Sequence, residues 1–403
     1  MSNNEFLPYG RQFIDEGDIE AVSQVLTSPF LTTGPPTLSF EKSFAEETQS
    51  LAAVSCANGT AGLHIAMLAL GIGPGDWVIV PSITFLASAN AARYVGADVI
   101  FCDVDETTGL MTGELLKQAI EKARSEQKNI KAVIPVHFAG QLVNMADIAE
   151  IARSENLLIV EDACHALGGE HPDPSSNLTP VGSCAWSDMT VFSLHPVKTI
   201  TMGEGGVVTT GNAEFAEKLQ LVKNHGMVKD GTTFKKPKEG IDKNGQPYPW
   251  YYEMQDTGFN YRASNLNCAL GESQLQKLKS FVDKRRDLVA HYDDLFASNN
   301  HIRPLARTDF GNPSWHLYVV LIDFDSHDDR ADLMRALAEK GIGTQVHYIP
   351  VHMQPYYEDL YGQETLIGAE TFYKKCLSIP LYPELETSNL DFVAETVAEL
   401  RMK

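Results

Sequence analysis

Between residues 50 and 225, short apolar runs recur at intervals of about one helix. This alternation narrows the fold more than any other feature of the chain. WVIVP at 77–81, ADVIFCDVD at 97–105, AVIPVHF at 132–138, LLIVEDA at 157–163, MTVFSL at 189–194 and GGVVTT at 205–210 read as buried strands. Helical patterns separate them: from NGTA at 58–61 to Leu70, from Leu86 to Val95, about 113–124, and 145–154. Strands that are apolar on both faces need cover on both faces. The expected fold class is therefore α/β, with a mostly parallel central sheet between layers of helices.

The remainder predicts a second, smaller unit of α+β type. Residues 229–250, rich in Gly, Lys and Pro, read as an exposed, mobile excursion whose five lysines are solvated rather than a binding patch. Residues 265–297 read as one long linking helix. Beyond it come a strand at 315–323, a helix at 329–341, a strand-like TQVHYIP and a final helix after Pro383. The division predicted is 1–264, a large domain with an N-terminal arm, and 265–403, the linking helix with the small domain.

Charge and cysteine usage exclude several classes of function. A net charge of −21 repels phosphate backbones and anionic lipid, so neither nucleic acid nor a membrane is expected as a partner. MSNNEFLPYG lacks the pattern of a secretory signal, and no stretch approaches the roughly 20 apolar residues that span a bilayer. A cytoplasmic location follows as an expectation. The six cysteines are scattered without a CxxC pair, which suits free thiols and no metal.

In such a sheet, ligands bind outside the carboxyl ends of the strands, so the loops there carry the chemistry. NGTAGLH at 58–64 opens a helix whose first N–H groups and Thr60 hydroxyl suit a phosphate, although, taken alone, the motif is better read as a simple Thr or Asn N-cap. GIGPGD at 71–76 follows a helix and contains Pro, which counts against a dinucleotide fingerprint and an NAD-dependent oxidoreductase. In EDACHALGGE, Asp162 ends a buried strand and calls for a positive partner: a protonated pyridine nitrogen, an Arg or Lys, or else a helix N-terminus to cap. His165 is a ring contact or a structural histidine. Phe85 stacks on a planar group or belongs to the core. Lys198 follows a strand and Ser193, and precedes GEGG; partial desolvation makes such a lysine a nucleophile towards a carbonyl. Together these are the parts that hold pyridoxal 5'-phosphate as a Schiff base.

The same residues resemble a known family. NGTAGLH, EDACHALG, FSLHPVKTITMGEGG, NHG at 224–226 and GFNYRASNLNCALG at 258–271 are similar to the sugar aminotransferases of the DegT/DnrJ/EryC1/StrS family. These are fold-type I pyridoxal-phosphate enzymes, and the likeness runs from about residue 8 to 395. PYGRQFIDEGDIEAV, PWYYEMQDTGFNYR and GIGTQVHYIPVH are similar to the branch of pseudaminic acid synthesis that aminates a UDP-4-keto-6-deoxy-N-acetyl-β-L-altrosamine-type sugar. The resemblance implies a catalytic set of Lys198 (Schiff base and acid/base), Asp162 (on the pyridine nitrogen) and His165 (near the ring's phenolic oxygen). It implies Phe85 stacked on the ring, with Gly59, Thr60, Ala61 and Ser193 around the phosphate. Asn260 would reach the cofactor of the other subunit in a homodimer. Substrate contacts would come from Tyr9, Leu31, Thr32, His347 and Tyr348, and from Arg262 across the dimer. L-Glutamate would be the donor and a nucleotide-linked sugar the acceptor.

Lys198 stands where dehydratases of the family carry His, so transamination is the better reading. Other acceptors fit the same chemistry: a 3-keto sugar, a dTDP-4-keto sugar or a cyclitol ketone. A cofactor-binding regulator needs a DNA-binding module, and residues 1–30 are too short and acidic for one.

Overall fold

The computed structural model describes residues 6–401. At its centre is a seven-stranded sheet in the order Ala52–Cys56, Gly206–Thr210, Met189–Ser193, Leu158–Asp162, Ile130–Val133, Trp77–Pro81, Asp98–Cys102. Gly206–Thr210 alone runs antiparallel to its neighbours; the others are parallel. Successive residues of Trp77–Pro81 enter opposite layers. Ile79 joins the core beneath helices Gly113–Ser125 and Met145–Ser154, while Val78 and Val80 join the core beneath Gly59–Ala69 and Leu86–Tyr94. Burial on both sides is why these strands read as unbroken apolar runs.

A three-stranded antiparallel sheet, Ile302–Pro304, Tyr318–Ile322 and Cys376–Ile379, forms the second unit with helices His327–Glu339 and Thr387–Arg401. One face of the sheet carries a core of its own, built on Leu288, Tyr292, Tyr318, Val320, Leu337 and Val393, while Val319, Leu321 and Cys376 on the other join the core that holds Ile79. All six cysteines are free thiols.

Four sequence readings are corrected in detail. The strand read at 132–138 ends at Val133, because Pro135 has no N–H for the ladder. The chain continues beside Asp162 through two bonds, Asp162 N to Pro135 O at 2.9 Å and His137 N to Asp162 O at 3.1 Å, which make a bridge at Val136. The single helix at 265–297 is two, Asn265–Leu275 and Leu278–Phe296. The joint tightens into a turn in which Lys277 N bonds Gln274 O at 3.0 Å. There the N-terminal arm binds the side chains: Lys277 Nζ lies 2.6 Å from Asp15 and 2.8 Å from Asp18, and Gln274 bonds Phe13 O and Asp18. TQVHYIP is not a strand: only Gln345 pairs, with Ser378. The 229–250 excursion carries structure of its own. Helix Pro237–Gly240 sits between the paired strands Met227–Val228 and Glu253–Met254, and the Glu253 carboxylate accepts from the N–H groups of Lys235 and Lys236 at 2.7 Å each. Its five lysines are exposed, as a solvated loop requires.

Candidate active site

The loops at the carboxyl ends of the parallel strands enclose a cavity of about 650 Å³, closed on one side by residues 345–349 of the second unit. The helix Gly59–Ala69 begins in its wall. Asn58 Oδ1 accepts from Ala61 N at 2.8 Å, so the N-cap is real. The N–H groups of Gly59 and Thr60 belong to the helix's first turn, where no intrahelical carbonyl can reach them. A Cβ on Gly59 would stand 2.9 Å from Ser193 Cβ, and one on Gly206 would stand 2.5 Å from Asn58 O. Glycine at both positions is what lets the helix start so close to the strand ends. Gly59, Thr60 and Ser193 line the cavity. Ala61 does not: its methyl is in the core and its N–H is already bonded to Asn58.

Asp162 and Glu161 end the same strand and are both buried, but they point to opposite faces. Glu161 accepts from His137 Nε2 at 2.9 Å and from the Ser187 and Thr190 hydroxyls. Burial opposes its ionisation, but the His137 bond and charge prevail and hold its pKa down at about 2. Asp162 faces the cavity. Ser88 Oγ donates to its Oδ2 at 2.6 Å and Cys164 N to its Oδ1 at 3.1 Å. Among the described residues it makes no ion pair and caps no helix, so neither of the alternatives weighed for it is present.

Lys198 lies in the turn after the strand Met189–Ser193, its N–H bonded to His195 O at 2.9 Å. Its side chain is partly buried in the cavity wall. Desolvation lowers its pKa, while Cys164 and Asp162 nearby raise it. Three histidines share the wall. His165 Nδ1 accepts from Ala139 N at 3.2 Å, and its Nε2 lies 3.2 Å from the Tyr348 hydroxyl. His316 packs against it with ring centres 4.5 Å apart. His347 bonds Ser378 at 2.8 Å and meets Tyr9 edge-on at 5.3 Å. Burial keeps all three neutral, with His347 pushed down to about 3. Phe85 lines the cavity with 56 % of its surface exposed, so it is not a core residue.

Tyr9, His347 and Tyr348 therefore meet Lys198 and Asp162 around one cavity, whereas Leu31, Thr32, Asn260 and Arg262 lie outside it. Those four share another surface. Thr32 bridges Ser264, Leu31 O accepts from Asn265 N, and Asn260 is exposed beside Asn224, which accepts from Arg262 Nη1 at 2.7 Å. Sequence reasoning missed Ser88, Cys164 and His316. Ser88 carried a signal, one helical turn beyond Phe85; His316 carried none, since it enters from the second unit.

The model of the DegT/DnrJ/EryC1/StrS aminotransferase family matches residues 12–398. The chain belongs to this family. Among curated members, it is 35 % identical over 99 % of its length to the spore coat polysaccharide biosynthesis protein SpsC of Bacillus subtilis, covering 98 % of that protein. It is 34 % identical over 98 % of both chains to the UDP-4-amino-4,6-dideoxy-N-acetyl-beta-L-altrosamine transaminase of Campylobacter jejuni. The solved structure of Helicobacter pylori PseC, an aminotransferase involved in the biosynthesis of pseudoaminic acid, superposes with a TM-score of 0.87 at 27 % identity, over 99 % of this chain and 100 % of that one. The PLP-form of a putative sugar aminotransferase from Streptococcus pneumoniae gives 0.86 at 28 %, over 98 % and 99 %.

As a member of the DegT/DnrJ/EryC1/StrS family, the chain is a pyridoxal-phosphate-dependent sugar aminotransferase of fold type I. Its cavity fits that cofactor. It offers a helix N-terminus beside a serine for a phosphate, an uncovered aromatic face, a buried carboxylate and a lysine of lowered proton affinity. Bound there, the cofactor supplies a carbonyl for amino groups and a ring that draws electrons from the carbon beside the nitrogen. The Asp162 carboxyl, fixed by two donors, and Lys198 stand in the wall of the same cavity.

Proposed function

We propose that this chain transfers the amino group of L-glutamate to the C-4 keto carbon of a UDP-linked 4-keto-6-deoxy sugar of the N-acetyl-β-L-altrosamine type, releasing 2-oxoglutarate. The observation that carries the reading is the near full-length likeness to the Campylobacter jejuni transaminase, 34 % identity over 98 % of both chains. A second acceptor, a UDP-linked 4-keto pentose, is supported by 34 % identity to the UDP-4-amino-4-deoxy-L-arabinose–oxoglutarate aminotransferase of Shewanella sediminis. The two share the nucleotide and the carbon aminated.

In this reading Lys198 holds the cofactor through Nζ. Asp162 faces its ring nitrogen, Phe85 covers one ring face, and Gly59, Thr60 and Ser193 hold the phosphate. Lys198 Nζ then takes the α-proton of glutamate and returns it one atom away. Tyr9 and His347 border the space left for the sugar. The homodimer belongs to the same reading, with Asn260 and Arg262 serving the other subunit's cavity. The exposure of Asn260, away from its own cavity, supports it, as does a buried Arg262 Nε with no partner among the described residues. A cytoplasmic location belongs to the same reading; no described helix is long and apolar enough to cross a membrane. The change from large to small domain falls best at Gln276–Lys277, since helix Asn265–Leu275 packs on the N-terminal helices.

The test offers the purified protein UDP- and dTDP-linked 4-keto sugars, a 3-keto sugar and a 4-keto pentose with L-glutamate, and identifies the amino products. Amination of the UDP-linked 4-keto-6-deoxy sugar at C-4, with the others slower, is expected. Preference for a 3-keto or dTDP-linked acceptor overturns the reading.

A further inference from the structure

The hydrogen bonds around His165 settle where its proton sits and, through it, the direction of a second proton. Ala139 N–H can only donate, so His165 Nδ1, 3.2 Å away, must be the acceptor. His165 is buried and neutral and carries one proton, which this network assigns to Nε2. Nε2–H therefore donates to the Tyr348 hydroxyl oxygen, 3.2 Å away. Tyr348 cannot return its own proton to His165, and the hydroxyl has no other hydrogen-bond partner among the described residues. Burial, with the charge of Asp162 close by, raises its pKa, so the proton stays on. Tyr348 lines the cavity together with Asp162 and Lys198. The groups flanking it, His165, His316 and His347, are neutral, so the donor is a single uncharged O–H in a wall without fixed positive charge beyond Lys198.

We propose that Tyr348 is the hydrogen-bond donor to the carbonyl oxygen of the keto substrate, held with its proton turned into the cavity by the fixed tautomer of His165. One neutral O–H suits a carbonyl oxygen; a carboxylate would be better served by a cation. The proposal rests on the aminotransferase reading but not on which sugar is the acceptor, because 2-oxoglutarate presents the same group. His165 is on this account a positioning residue that neither takes nor gives a proton during turnover.

Two measurements test it. The first is the imidazole 15N spectrum of His165 in cofactor-free protein, identified by its loss in His165→Gln. A proton on Nε2 with Nδ1 bare is expected; a proton on Nδ1 overturns the proposal whatever the activity. The second is Tyr348→Phe in the cofactor-loaded enzyme, with 2-oxoglutarate as the keto substrate. Removing one preorganised donor to a carbonyl oxygen should slow that half-reaction on the order of a hundredfold, with cofactor content unchanged and Tm lower by a few degrees at most, since His165 Nε2–H loses its acceptor. The primary isotope effect with α-deuterated glutamate should shrink towards one, because the carbonyl step now limits. An undiminished rate, an unchanged or enlarged isotope effect, or loss of bound cofactor overturns it. Failure of every nucleotide-linked ketone as acceptor, with these results intact, would overturn the sugar assignment alone.

Discussion

Ser88 Oγ donates a 2.6 Å hydrogen bond to Oδ2 of Asp162, tying the helix that follows Phe85 to the end of the strand Leu158–Asp162. Thr84 Oγ1 lies 2.6 Å from the same serine, so the hydroxyl is held at both ends. A hydrogen bond to a charged group is worth about 1.5–3 kcal/mol, and this one fixes the direction in which the carboxylate faces the cavity. Ser88→Ala is expected to slow the glutamate half-reaction by about tenfold and to lower the melting temperature by a few degrees. Stopped-flow absorbance of the loaded enzyme checks this.

Asp162→Asn keeps the shape and removes the charge. Electrostatic stabilisation of this kind supports a loss on the order of a thousandfold in the glutamate half-reaction. Stability should hold or rise, since a neutral amide is easier to bury than a carboxylate. A variant that melts early yet turns over normally would make Asp162 a structural residue.

Glu161 and His137 provide a pH signature of stability. The folded pKa of Glu161 is about 2, below the unfolded value of about 4.3. Between those values the unfolded chain binds a proton that the folded chain refuses. The stabilisation is therefore complete above about pH 4.3 and is lost as pH falls towards 2. Glu161→Gln should flatten the acid limb of a urea-melt series. It should also cost roughly 1.5–3 kcal/mol at pH 7, the usual effect of losing a hydrogen bond to a charged group.

Shared active sites predict complementation. Lys198→Ala protomers mixed with Asn260→Ala/Arg262→Ala protomers should recover part of the wild-type activity, since one of two cavities in the mixed dimer keeps all its groups. Recovery is read after subunit exchange is shown by mass. No recovery would mean that Asn260 and Arg262 serve their own chain.

Reduction of the loaded enzyme with borohydride, followed by peptide mapping, should place a pyridoxyl group on Lys198. Label on another lysine would sink the assignment of the cavity's nucleophile.

The central sheet was legible because its strands are buried on both faces: Trp77–Pro81 and helix Met145–Ser154 fall where the pattern puts them. What the pattern could not carry was long-range. Nothing near Gln276 breaks a helix locally, and the joint there is decided by Asp15 and Asp18 from the far end of the chain. TQVHYIP has strand composition, yet His347 bonds Ser378 and the chain turns into the cavity. Asp162, Phe85 and Lys198 were readable because each sits just past a strand end. His316 was not, because it reaches the cavity from the second unit.

The open face of Phe85 has a consequence for the protein's lifetime in a cell. A ligand that binds only the folded chain deepens its stability by RT ln(1 + [L]/Kd). An aromatic surface left to water until such a ligand covers it adds to that coupling. The abundance of this enzyme should thus follow vitamin B6 supply even at constant synthesis, because chains made during scarcity would reach the proteases sooner.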